Sequence, residues 1–161
     1  MSSIPLHPAI VHLPLGLAFV IPFIATGFAW ALLTGRIRRR GWTAVVLLQA
    51  ALLAAGFVAA STGEREEDRV ERVVPHAALE EHEERADRFL WATGTTLALA
   101  SLVLVARRPG ATRILTIATL AGTVVVGGSA VLVGKAGGAL VYVHNAAAAY
   151  APPEADLRNP R

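Results

Sequence analysis

The sequence predicts an all-α protein, a four-helix transmembrane bundle running up-down-up-down with both termini outside. Three observations carry this. Hydrophobic residues make up 54% of the 161-residue chain, above the 45–50% usual for soluble domains. They gather into four blocks almost free of charge. Arginines and acids separate onto opposite ends of those blocks. A soluble bundle would carry charge along one face of every helix, and that face is missing here, which points to lipid as the solvent.

The first apolar block is Ala9–Leu33. Pro8 suits a first helical turn, where its missing N–H costs nothing. Pro14 and Pro22 lie deeper and free the carbonyls of Ile10 and Ala18. No basic residue precedes the block and an arginine cluster follows it, so it reads as a retained span rather than a cleaved signal. The second block is Trp42–Ala60. Ser61 and Thr62 read as helix-end residues. The third block, Phe89–Ala106, is short alone, but Pro75 can open a helix that runs into it. The fourth is Ile114–Val133, followed by Gly134, Gly137 and Gly138. Gly134 and Gly138, with Ala130, suit close helix packing, and Gly137 and Gly138 can end the helix. The expected organisation is one membrane domain, 1–161. Its spans are about 9–33, 42–60, 86–106 and 114–134, with an acidic outer loop 61–85 and a C-terminal tail 145–161, each span near the twenty residues a bilayer needs.

Charge sets the orientation. The first link holds Arg36, Arg38, Arg39 and Arg40, the third holds Arg107, Arg108 and Arg113, and neither holds an acid. The positive-inside rule puts both in the cytoplasm. The central segment carries ten of the twelve acids, and Glu154 and Asp156 in the tail are the other two. Basic residues at span ends explain the pI of about 10.2 without nucleic acid as a partner. The absence of cysteine excludes disulfides, thiolate metal sites and c-type haem attachment. No acid or base lies at mid-depth in a span, which disfavours a proton or ion carrier. Gln49 and scattered threonines there read as packing residues. Without a recognisable catalytic motif, an electron carrier or accessory subunit is expected rather than an enzyme.

All five histidines fall on or near the acidic side. His7 and His12 are five apart, about 500° around a helix, so they do not share a face. His82, Ala86, Phe89 and Thr93 form one helical stripe directed at the bundle. His76, Glu80, Glu83 and Asp87 form a second stripe, able to bind a hard or borderline metal or to be a solvated face. Glu81–Arg85 and Glu84–Arg88 are i, i+4 pairs that support a protruding helix. Tyr142 and His144 return across the outer mouth.

The motifs LHPAIVHLPLG, EEHEERAD and GGALVYVHN resemble the bacterial four-span membrane family known as domain of unknown function 2231, over nearly the whole chain. Family members usually place glycine after the last histidine, where this chain has Asn145. The resemblance implies the four-span fold and the bacterial inner membrane, with termini on the periplasmic side. It implies no established activity. The chain also looks like small membrane b-type cytochromes, in which histidines from different helices hold haem.

The leading expectation is therefore haem b held by His12 and His82, serving electron transfer at the outer face. His7 and His144 stand in reserve, and Arg85 or Arg88 face the propionates. One alternative is a structural or anchoring subunit of a larger respiratory or redox membrane complex. Another is a non-haem site for zinc, copper or iron, built from the histidines and neighbouring acids such as Glu80 and Glu83.

Overall fold

Proline placement breaks the first span into two pieces. α1 spans His7–Ile10, with Pro8 in its first turn, and α2 spans His12–Leu33. Pro14 has no N–H to give the Ile10 carbonyl. The chain turns at Val11, and helical bonding resumes from Leu15 N–H to the Val11 carbonyl at 3.2 Å. The computed structural model describes residues 5–151, and their regular structure is helical. α2 ends at Gly35, whose φ of +73° is a left-handed conformation that glycine adopts without strain. A 3-10 turn, Arg39–Trp42, leads into α3, Thr43–Val70. α4 spans His76–Val105, and α5, opened by Pro109, spans Pro109–Tyr142. A second 3-10 turn covers Ala146–Tyr150.

Four helical segments are long and apolar enough to cross a membrane: His7–Leu33, Arg39–Val70, His76–Val105 and Pro109–Tyr142. They extend beyond the expected spans. Residues 61–85, expected as an outer loop with a helix opened by Pro75, also hold the end of α3, which continues through Ser61 and Thr62 to Val70. The Glu and Arg residues of that stretch are good helix formers. Gly137 and Gly138, expected to end the last helix, lie inside α5, which runs on to Tyr142. The tail beyond residue 151, with Glu154 and Asp156, lies outside the described residues.

α4 packs most extensively on α5; α2 packs on α3 and α5, and α3 on α4. The interior is layered. Ala18, Ile21, Leu52, Phe89, Val126 and Ala130 form one cluster, and Ala25, Ala29, Trp42, Val45 and Val103 another. Small residues let the helices approach. At Gly56 an added Cβ would lie 2.8 Å from Leu90, and at Gly122 it would lie 2.5 Å from the Thr96 hydroxyl. Gly127 backs onto the Ala18 carbonyl that Pro22 frees, where a Cβ would come to 3.5 Å. Lipid tails are as apolar as the side chains they replace, so this close packing, rather than hydrophobic burial, holds helices together in a bilayer. The outer surface is correspondingly apolar: Phe23 is 80% exposed and Trp91 79%.

Buried threonines satisfy their own protons. Thr93, Thr96, Thr116, Thr119 and Thr123 each donate to a carbonyl three or four residues back. Gln49 is different. It is fully buried, and neither amide atom has a hydrogen-bond partner among the described residues. At the arginine end, the Arg39 guanidinium donates to the Ala106 carbonyl and ties the two short connections together. Arg36 lies 3.8 Å over the Trp30 ring, a cation–π contact suited to an interface.

Candidate functional site

The acidic end gathers residues from α1, α3, α4, α5 and the final 3-10 turn. Ala59, Thr62, Gly63 and Glu66 recur along one face of α3 at i, i+3, i+4 and i+7. The His7 ring lies on this face. Its Nδ1 is 2.8 Å from the Ala59 carbonyl and 3.3 Å from Thr62 Oγ1. A carbonyl only accepts, so Nδ1 carries the proton and Nε2 of the neutral ring is left as the electron-pair donor. Gly63 makes room for the ring, since a Cβ there would sit 3.2 Å from His7 Cε1.

His82 approaches from α4. Its ring lies against Gly137 of α5, where a Cβ would sit 3.2 Å from Cε1. The Val133 carbonyl also lies against this ring. His82 Nδ1 is buried and has no hydrogen-bond partner among the described residues. The His7 and His82 rings meet edge to face, with centroids 6.2 Å apart and planes at 85°. The stripe expected to carry His82 inward does so: Ala86 is partly buried, and Phe89 and Thr93 are buried.

Glu66 closes the site from the side. Its Oε1 accepts from the Leu6 N–H at 2.9 Å and from the His7 N–H at 3.4 Å, while Oε2 accepts from the Tyr150 hydroxyl at 2.8 Å. Partial burial first, then the hydrogen bond to Glu66 and its negative charge, push the Tyr150 hydroxyl pKa up to about 12. The Arg69 guanidinium, 5.3 Å over the Tyr150 ring, opposes that rise. Val74, Leu140 and Ala146 form a small apolar cluster beside this polar one. Asn145 begins the final turn with φ 55° and ψ 38°. That left-handed conformation suits glycine best and asparagine next.

The other residues singled out in the sequence lie elsewhere. His12 is exposed at the start of α2 and does not share the His7 face, as the five-residue spacing requires. His144 is partly buried, and its backbone N–H bonds to the Ala139 carbonyl at 3.0 Å. His76, Glu80 and Glu83 are all exposed, with His76 Nδ1 3.8 Å from Glu80 Oε2. Among the described residues, no group of three or more His, Cys, Asp or Glu side chains is placed to hold a metal ion. Arg85 pairs with Glu81 and donates to the Leu132 carbonyl at 3.3 Å, and Arg88 pairs with Glu84 at 2.8 Å. Glu66, Thr62, Gly63 and Tyr150 are site residues that the sequence reading misses. The Ala59–Thr62–Gly63–Glu66 spacing is the available signal, hidden because the helix is expected to stop at Ser61.

Four membrane-crossing helices around a two-histidine contact at one end define a polytopic helical membrane protein. The family described as "Predicted membrane protein (DUF2231)" matches residues 3–149. The chain belongs to that family. No curated protein and no solved structure matches it.

Proposed function

We propose that this is a four-span bundle of the bacterial inner membrane that holds haem b between His7 and His82 and passes electrons at its outer face. The arginine end faces the cytoplasm, and the acidic end and both termini face outward, by the positive-inside rule. The 6.2 Å separation of the two imidazoles carries the reading. Zinc sites take three or four protein ligands, and no such group stands among the described residues. A histidine pair instead suits haem, which histidine side chains would hold.

The donor set fits that group. Ala59 fixes the His7 tautomer through Nδ1 and leaves Nε2 as a donor, the outer hydrogen bond that ring ligands normally make. His82 contributes a buried ring nitrogen with no partner among the described residues. Arg85 stands one turn from His82, and a propionate would compete there with its Glu81 and Leu132 partners. When bound, haem supplies a one-electron iron couple. Gly63 and Gly137 give the rings space. His12 is exposed, so His7 takes its place as partner of His82.

Oxidised and dithionite-reduced absorption spectra of the protein, purified in detergent from a host that makes haem, test this. A Soret band and a sharpened reduced α-band are expected. A colourless, metal-free protein that co-purifies with other subunits overturns it in favour of an anchoring role in a larger redox complex.

A further inference from the structure

Glu66 touches neither histidine ring, yet it holds three chain segments together beside them. It sits on α3 one turn beyond Thr62 and Gly63, which support the His7 ring. Its two oxygens do separate jobs. Oε1 receives the N–H groups of Leu6 and His7, the first turn of α1. Oε2 receives the Tyr150 hydroxyl from the final 3-10 turn. A carboxylate accepts such bonds more strongly than a neutral group does. α1 has only four residues and meets α2 at Val11, so its position depends on that junction and on its ties to α3. Along α3, those ties are Glu66 on the backbone and Ala59 and Thr62 on the ring.

We infer that Glu66 is the positioning residue of the histidine pair, a clasp that fastens the start of α1 and the C-terminal turn to α3 and so holds the His7 ring against His82. This rests on the reading of His7 and His82 as the functional pair, but it is a statement about the polypeptide alone. The clasp acts at two points. Loss of the Oε1 bonds frees the His7 backbone while the ring keeps only its bonds to Ala59 and Thr62. Loss of the Oε2 bond frees the Tyr150 turn. The substitution Glu66→Gln keeps one oxygen acceptor without the charge, whereas Glu66→Ala keeps none.

The test uses the full chain in detergent, without haem, and follows diethylpyrocarbonate modification of each histidine by mass spectrometry. Glu66→Ala is expected to raise the His7 rate several-fold and leave exposed His76 unchanged, and Glu66→Gln is expected to return His7 close to the wild-type rate. An unchanged His7 rate in Glu66→Ala overturns the inference. A uniform rise at all histidines marks unfolding of that variant and passes the decision to Tyr150→Phe, which keeps the ring and the Leu6 bond. Tyr150→Phe is expected to speed amide exchange across residues 146–150 and not across α5; unchanged exchange there overturns the inference. A colourless protein would leave these results standing, and a failed clasp would leave the spectral test of haem standing.

Discussion

His7 and His82 stand edge to face at 6.2 Å, each backed by a glycine on a different helix from its own. Gly63 of α3 lies under one ring and Gly137 of α5 under the other. Neither histidine reaches the other by local geometry. The contact exists because a glycine inside α3 and another inside α5 leave room for the two rings.

That relationship predicts unequal costs for alanine along α5. Gly137→Ala places a Cβ 3.2 Å from His82, and such overpacking costs about 1–3 kcal/mol. Gly63→Ala, at 3.2 Å from His7, behaves alike. Gly134 and Gly138 have nothing within 4 Å, so alanine there gains helix propensity, up to about 1 kcal/mol. Equilibrium unfolding in mixed micelles reads the difference, and equal effects at Gly137 and Gly138 would refute it.

Gln49 is expected to be a stability defect. Its amide is buried without a partner, and such a group costs about 1–3 kcal/mol. Gln49→Met, similar in shape and apolar, should raise the unfolding midpoint. A lower midpoint would mean that the amide has a partner in the folded protein.

Tyr150 should titrate late. In a Tyr142→Phe background, absorbance at alkaline pH should place its ionisation near 12, because burial and Glu66 disfavour the phenolate. A pKa raised on folding means the folded state holds the proton more tightly. Its contribution to stability is therefore full below the unfolded value of 10.0 and is lost as pH rises through about 12. Glu66→Gln should bring the titration down toward 10.0. A wild-type titration already at 10.0 would show that the hydroxyl does not bond Glu66.

Orientation can be read by labelling, since the chain has no cysteine. Arg40→Cys and Arg108→Cys should react with an impermeant thiol reagent only after cells are opened. Asp68→Cys and Glu84→Cys should react in intact cells. The reverse pattern would invert the topology.

The spans are legible in the sequence because charge exclusion is a strong signal over twenty residues. The inward stripe from His82 to Thr93 is legible from helical spacing alone. Sequence spacing also separates the faces of His7 and His12, but it does not say which ring turns inward. That depends on the turn at Val11, where Pro14 breaks the helix, and on the α3 face that receives the ring. This face is hidden because Ser61, Thr62 and Gly63 look like a helix end. They stay helical, followed by a run of Glu and Arg, and carry Glu66 to the Leu6 and Tyr150 groups. A contact made by backbone N–H groups and a distant tyrosine leaves no periodic trace.

The central claim is that His7 and His82 act as one pair of ligands. Reduced-minus-oxidised spectra of His7→Ala, His82→Ala and His12→Ala, purified alike from a haem-producing host, test it most directly. The account predicts that the first two lose the low-spin α-band while His12→Ala keeps it. A band that survives both His7→Ala and His82→Ala, or that disappears in His12→Ala alone, would contradict it.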